Sequence, residues 1–314
     1  MNLSQLIVEY VSFKQAMGMR FRSEAAIFKT FQRCVGDMDL AAIDPDAVSA
    51  FLAGRGVITA TWHLKYRTLD GLFRFAVSHG YSDSKPLPLT LPKLSEPQVP
   101  YIYSTEELCK LLAATDTLEA SNSPLQAATF KTLILALYGT GMRIGEVLSL
   151  TISDMNLAES LITVHDSKFY KTRLVPIGPR LTSHLQTYLD RRRQLPVHSV
   201  ESSAFFATRT GNPLSYDWVR KIFARLRNQA GIRRREGATY APRIHDLRHT
   251  FAVHRLELWY REGADVQRLL LHLSTYLGHI DVSQTRYYLQ MTPGLLHEAG
   301  KRFENYALAG VAHD

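Results

Sequence analysis

Two arginines lie in contexts that could hold an anion. Arg143 follows the tight connection Gly139-Thr140-Gly141, and Glu146 lies three residues further, on the same face of a short predicted helix. Arg248 shares a helix face with His245, also three residues away. A guanidinium suits a phosphate because its planar fork donates two hydrogen bonds and keeps its proton. For Arg143 alone, a local ion pair at a helix start is the more common alternative.

Histidines and a lysine could move protons beside such an anion. His245 and His249 stand four residues apart, a spacing that can bind zinc. The glutamate of the usual zinc motif is missing and Arg248 lies between them, so we predict no metal site and no cofactor. Lys168 lies in a predicted turn between two strands, where a lysine is normally solvated but could also donate a proton to a bound ligand.

The adjacent tyrosines Tyr287 and Tyr288 follow His279 towards the end of the chain. A tyrosine pair alone is typical of the edge of a core. Together with the arginines, histidines and lysine it has a chemical logic. A tyrosine oxygen could attack a phosphodiester, arginines could stabilise the extra negative charge, and a histidine and a lysine could move the protons.

The bulk composition agrees with a polyanionic partner. The chain has 314 residues and a formal net charge of +8. Its two cysteines, Cys34 and Cys109, form no metal-binding or disulfide pattern, which is typical of a reducing compartment. No secretory signal and no long apolar run is found, so we predict no membrane contact and a cytoplasmic protein.

Five prolines between residues 81 and 100 predict an extended linker at 83–103. This divides the chain into domains at 1–82 and 104–314. The first domain has only helical periodicity, and its helix from Thr59 to about Gly80 carries Lys65, Arg67 and Arg74. These basic residues form either a solvated face or a surface for phosphates.

The second domain is predicted to be mainly helical with a small antiparallel sheet. Ser104 and Glu107 fit a capping box at the start of its first helix. Residues 160–164 and 172–177 read as two strands around the turn with Lys168 and Lys171. The fold class is therefore mainly α with one small antiparallel β-sheet.

The order of these motifs resembles the tyrosine recombinase, or phage integrase, family. The segment GTGMRIGEVLSL (139–150) is similar to its first arginine box, and HDLRHTFA (245–252) to its His-x-x-Arg box. The segment YLGHIDVSQTRYYLQMT (276–292) resembles its Leu-Gly-His segment with the nucleophile, and SKFYKTRLVPI (167–177) its β-hairpin. The resemblance implies an N-terminal helical core-binding domain, which favours the phosphate-facing interpretation of its basic helix, and an α+β catalytic domain.

The resemblance also implies a role for each site residue. The nucleophile lies nine residues after the histidine of the Leu-Gly-His segment, which selects Tyr288 over Tyr287. Arg143 and Arg248 would hold the scissile phosphate, and His279 would hydrogen-bond one of its oxygens. Lys168, with Lys171 as the alternative, would protonate the leaving 5′-oxygen. His245 would be the base or proton shuttle for Tyr288, and Glu146 would support Arg143.

Implied partners are double-stranded DNA sites bound by four protomers, with accessory recombinases or DNA-bending proteins. The segment between Arg248 and His279 is longer than in Xer-type enzymes and resembles recombinases of transposons and similar mobile elements. Three alternatives remain: a type IB topoisomerase, a catalytically idle DNA-binding module and, least favoured, a metal-dependent nuclease. The last lacks a carboxylate cluster beside its histidines.

Overall fold

A computed structural model describes residues 1–54, 58–93, 99–119, 126–167, 171–194, 200–234, 240–279, 281–290, 294, 297–301 and 303–304. For residues 166, 167, 171 and 290 it describes only the backbone. The chain divides into two compact units, Met1–Gln98 and Val99–Asp314. The limits 1–82, 83–103 and 104–314 stay predictions. Of the predicted linker, Leu87 is buried in the core of the first unit and Tyr103 in that of the second.

The described part of the first unit contains four α-helices: α1 (Leu3–Ala16), α2 (Arg22–Val35), α3 (Pro45–Ala53) and α4 (Ala60–Ser78). Side-chain caps begin three of them, at Asn2, Asp44 and Thr59, because each side-chain oxygen accepts a backbone N–H of the first turn. The helices pack apolar side chains against one another, including Leu6, Phe28, Phe31, Leu69 and Phe73.

The second unit contains eight described α-helices and three strands. Its elements are α5 (Thr105–Ala114), α6 (Ala127–Thr140), α7 (Ile144–Ser149), β1 (Met155–Asn156), β2 (Leu161–Ser167), β3 (Lys171–Pro176), α8 (Pro179–Arg193), α9 (Tyr216–Gln229), α10 (Asp246–Arg261), α11 (Val266–Leu277) and α12 (Ser283–Arg286). A 3-10 turn at Tyr287–Gln290 follows α12. The strands form one antiparallel sheet in the order β1-β2-β3, with Ile162 opposite Val175. The predicted fold class is confirmed.

The core of the second unit fixes the elements that carry the predicted site. α6 is buried along most of its length, and α10 packs against it. The backbone N–H of Tyr103 donates to Thr250 on α10, and the Tyr103 hydroxyl donates to the carbonyl of Arg243 just before α10. These bonds hold the start of α10, where Arg248 and its neighbouring histidines lie. Among the described residues, no helix has the length and apolar character needed to cross a membrane.

Candidate active site

Eight polar residues, five of them predicted as catalytic, line one cleft of about 390 Å³. Its walls come from the start of α7, the first turns of α10, the end of α11 and the turn after α12. The lining residues are Arg143, His245, Arg248, His249, His279, Gln284, Tyr287 and Tyr288. The fold thus brings together side chains that are up to 145 positions apart in the sequence, from Arg143 to Tyr288.

Arg143 is held at the edge of this cleft by Glu146. The Arg143 guanidinium donates to Glu146 Oε1 at 2.8 Å, and its backbone N–H donates to Oε2 at 2.9 Å. Arg173 on β3 donates to the same carboxylate from the other side, at 3.1 and 2.8 Å. Glu146 therefore anchors two arginines, one from a helix start and one from the sheet.

The pKa of Glu146 reflects these partners. Burial alone would raise it, but the hydrogen bonds and charges of Arg173 and Arg143 lower the pKa to about 2. The carboxylate is therefore ionised at all physiological pH values and remains a fixed counter-charge behind Arg143.

Arg248 is only 3% exposed and is held by the carbonyl ends of two helices. Its guanidinium donates to the carbonyl of Gly141, at the end of α6, and to that of Leu277, at the end of α11, at 2.7 and 2.8 Å. Arg143 likewise donates to the carbonyl of Gly278 at 2.9 Å. Helix C-termini carry partial negative charge, so they stabilise cations placed there.

Two glycines make these helix ends possible. Gly141 and Gly278 have φ of +61° and +67°, in the left-handed region where a side chain is strained. A Cβ on Gly141 would lie 2.4 Å from Phe251 Cδ1, and one on Gly278 would lie 2.9 Å from the guanidinium of Arg173. Glycine is therefore required at both positions, at Gly141 because of its packing against Phe251 and at Gly278 because of its close approach to Arg173.

The two cleft arginines oppose each other electrostatically. Burial, and next the charge of Arg143, lower the pKa of Arg248 to about 10. Arg248 still stays charged at neutral pH. Two guanidiniums held together in this way favour the entry of an anion, which relieves their repulsion.

Tyr288 is buried beside Arg248, whereas Tyr287 is 38% exposed. Burial raises the pKa of Tyr288, and the charge and hydrogen bond of Arg248 oppose that rise. Its hydroxyl oxygen lies 3.0 Å from Nδ1 of His249. Of the two tyrosines, Tyr288 is thus the one placed among the cations.

The two histidines predicted from the motifs line the same cleft without a described hydrogen bond to Tyr288. Nδ1 of His279 lies 2.6 Å from Oγ1 of the buried Thr285, and its ring stacks 6.2 Å from the Tyr288 ring. Burial lowers the pKa of His279 to about 4, and burial also lowers that of His245. The His245 ring packs edge-on against His249, with 5.1 Å between centroids. Both are therefore neutral at neutral pH.

The predicted lysines cannot be placed in the site. Lys168 lies outside the described residues, and for Lys171 only the backbone at the start of β3 is described. Their roles stay predictions. No group of three or more histidine, cysteine or carboxylate side chains that could hold a metal ion is found in the described part of the chain.

The basic residues of α4 differ in their surroundings. Nζ of Lys65 donates to the carbonyl of Phe51 at 2.6 Å and lies 4.3 Å above the centroid of its ring, so Lys65 ties α4 to α3. Arg74 is 69% exposed and pairs with Asp70 at 3.1 Å. Arg67 is exposed on the same helix. Their binding to DNA stays a prediction.

Sequence reasoning missed Arg173 and Thr285, and it considered His249 only as a zinc ligand. The contact of Arg173 with Glu146 spans 27 positions and that of His249 with Tyr288 spans 39. No local spacing signals such pairs. For Thr285, its place six residues after His279 was the only available sign.

Comparisons with known proteins identify the family of the chain. The phage integrase family model matches residues 103–294. The chain is 32% identical over 302 residues to the protein y4rE of Sinorhizobium fredii, covering 96% of this chain and 95% of that protein. It is 31% identical over 285 residues to the tyrosine recombinase XerC of Oceanobacillus iheyensis, covering 89% and 87%.

One of the similar solved structures is the XerH site-specific recombinase bound to a palindromic difH substrate, in a post-cleavage complex. It has a TM-score of 0.61 and 26% identity, covering 90% of this chain and 79% of that one. The family predicted from the motifs is confirmed, and so is its preference over the topoisomerase and idle-module alternatives. The chain belongs to the phage integrase family and is a tyrosine recombinase.

Proposed function

We propose that this recombinase cuts and rejoins DNA at specific sites through a covalent 3′-phosphotyrosyl bond to Tyr288. The observation that carries the proposal is the cleft that Tyr288 shares with both Arg143 and Arg248. A phosphodiester in this cleft would meet two guanidiniums and one buried phenol hydroxyl.

The chemistry follows from these neighbours. The Tyr288 oxygen gives its proton to a histidine of the cleft and attacks phosphorus, and the bond from phosphorus to the 5′-oxygen breaks. Arg143 and Arg248 stabilise the charge that grows on the non-bridging oxygens, and they do so without reorganising because helix-end carbonyls and Glu146 already hold them. His279 donates a further hydrogen bond to a phosphate oxygen, and Lys168 gives the leaving oxygen its proton. The phosphotyrosyl ester conserves the energy of the broken bond, so rejoining needs no nucleotide and no cofactor.

The proposed partner is double-stranded DNA. The similar XerH structure is a complex with its DNA substrate, and the net charge of +8 here suits a polyanion. The N-terminal unit would bind one side of the duplex, through Arg67 and Arg74 above all. Four protomers would pair two sites, with accessory recombinases or DNA-bending proteins, to integrate, excise or transpose a mobile element in the cytoplasm.

A covalent-trapping assay tests the proposal. The protein is mixed with nicked duplexes made from the DNA that flanks its gene and is then run on a denaturing gel. We expect an adduct from the wild type and from Tyr287→Phe, with or without chelator, and none from Tyr288→Phe, which should still bind the duplex.

The opposite results separate the alternatives. An adduct that persists in Tyr288→Phe and disappears in Tyr287→Phe would move the nucleophile to Tyr287. A wild type that binds duplexes and never forms an adduct would support the idle DNA-binding module. Relaxation of any supercoiled plasmid, with no preferred site, would support topoisomerase activity instead.

A further inference from the structure

His249 contacts the proposed nucleophile directly. Its Nδ1 lies 3.0 Å from the Tyr288 hydroxyl oxygen, a normal hydrogen-bond distance. Both side chains line the cleft, and Tyr288 is only 3% exposed. His249 lies in the first turns of α10, next to Arg248, which is itself anchored by two carbonyls. The contact therefore rests on a rigid part of the site.

The surroundings of His249 keep it neutral. Its pKa is lowered to about 3, mainly by burial and further by the charges of His245, Arg248, Arg243 and His279. A neutral imidazole has one nitrogen with a lone pair and one N–H. If the phenol of Tyr288 donates this hydrogen bond, Nδ1 is the acceptor and the imidazole proton lies on Nε2.

Resting on the proposed function above, we propose that His249 receives the proton of Tyr288 during strand cleavage. As the Tyr288 oxygen bonds to phosphorus, its O–H bond breaks and the proton moves to Nδ1 of His249. The bond from phosphorus to the 5′-oxygen breaks, and that oxygen is protonated by a separate donor. On rejoining, the 5′-hydroxyl returns its proton to that donor and displaces Tyr288, and His249 returns the proton to the phenol oxygen.

The bound phosphate makes this transfer feasible. His249 alone is a weak base because cations surround it. A phosphodiester between Arg143 and Arg248 brings negative charge into the same cleft, and the transition state adds more. An imidazolium at position 249 then faces anionic oxygens as well as cations. The basicity of His249 therefore rises when the substrate is in place.

His245 is the rival for this role, because the family resemblance points to it. In the structure its ring lies behind His249, with 5.1 Å between the two centroids, and no described hydrogen bond joins it to Tyr288. His245 could relay a proton from His249, but only His249 lies within hydrogen-bond distance of the Tyr288 hydroxyl among these two histidines. His245 thus offers a matched control on the same helix face.

The test is the single-turnover cleavage rate as a function of pH, between about pH 5 and about pH 9, on a nicked duplex that the wild type cleaves. We expect His249→Gln to cleave about 10²–10⁴-fold more slowly at neutral pH and to gain about tenfold per pH unit, since hydroxide must then remove the proton. The wild type and His245→Gln should lack this slope. All three proteins should bind the duplex equally.

A second measurement needs no substitution at His249. The ¹⁵N chemical shifts of the wild-type histidines should show Nδ1 of His249 without a proton, and this signal should move in Tyr288→Phe. A proton found on Nδ1 would overturn the proposal. So would a His249→Gln variant with the rate and pH profile of the wild type, or the steep slope appearing in His245→Gln instead. A wild type that never cleaves bound DNA would overturn the proposed function as well.

Discussion

Replacing Glu146 by glutamine should destabilise the second unit strongly. The substitution keeps the shape of the side chain and removes the charge that Arg143 and Arg173 share. The amide oxygen of glutamine can still accept from one guanidinium, but its NH₂ group would face the other, which would keep only a backbone carbonyl, of Gly278 for Arg143 or of Tyr276 for Arg173. Removing one member of a buried ion pair leaves uncompensated charge, which is more costly than the pair is stabilising.

The magnitude follows from the pKa. A value of about 2 against the ordinary 4.5 corresponds to about 3 kcal/mol of stability, at about 1.4 kcal/mol per pKa unit. Because the folded-state pKa is lowered, this stability is fully present above the unfolded pKa of 4.5 and is lost as pH falls through about 2. At about pH 3, less than half of it should remain.

Urea denaturation, followed by the fluorescence of Trp218 and Trp259 in a Trp62→Phe background, measures the effect in the second unit. Glu146→Gln should lower the free energy of unfolding by about 3 kcal/mol at about pH 7, and the gap should narrow towards about pH 3. The control is Asp217→Asn, an exposed carboxylate 3.9 Å from Arg220, which should change stability by under about 0.5 kcal/mol. A Glu146→Gln effect below about 1 kcal/mol, or one independent of pH, would refute this account of the site.

Three further changes test the helix-end anchors, the phosphate contact and the basic helix. Gly141→Ala should destabilise the second unit by about 2–4 kcal/mol in the same urea assay, because it adds left-handed strain and a clash. Arg143→Ala should lower the cleavage rate at least about 100-fold, measured by adduct formation on bound DNA. Arg67→Ala should reduce the slope of the logarithm of the DNA-binding constant against the logarithm of the salt concentration by about 1, as expected for the loss of one phosphate contact. Lys65→Ala should mainly lower the free energy of unfolding of the first unit, by about 1 kcal/mol.

The controls for these changes lie close by. Gly145 is inside α7 and a Cβ there would meet no atom within 4 Å, so Gly145→Ala should be neutral or slightly stabilising. Equal losses from both alanine variants would remove the argument from the left-handed helix end. An Arg143→Ala rate within about tenfold of the wild type would take Arg143 out of the catalytic set. A Lys65→Ala protein of normal stability with a changed salt slope would return Lys65 to the DNA surface.

Local spacing predicted the parts of the molecule that are local in space. The capping box of Ser104 with Glu107 is present at the start of α5, and Arg143 pairs with Glu146 three residues away. The two predicted strands appear as β2 and β3, although the two-residue β1 was missed. In each case the partner is within one turn or one hairpin, so the pattern contains the information.

The remaining contacts depend on how α6, α10 and α11 meet. The sequence placed Gly141 in a tight connection and Gly278 in the Leu-Gly-His segment, but it could not show that their carbonyls face an arginine on α10 and one before α7. Nor could it rank His245 and His249, which differ only in which one reaches Tyr288. The family resemblance identified the sequence motifs and their order. Only the folded structure shows that His249 is the histidine paired with Tyr288.

The contacts between these helices also explain how the site accommodates three neighbouring arginines. Arg143, Arg173 and Arg248 lie close enough to lower the pKa of His279, and among the described residues Glu146 is the carboxylate bonded to two of these arginines. The carbonyls of Gly141, Leu277 and Gly278 provide the rest of the compensation, as partial charges that cannot be protonated. In the proposed reaction a phosphate would therefore enter a site whose cations are already oriented and whose histidines are neutral. Backbone carbonyls orient the cations without neutralising them. A second carboxylate in place of these carbonyls would neutralise the cations.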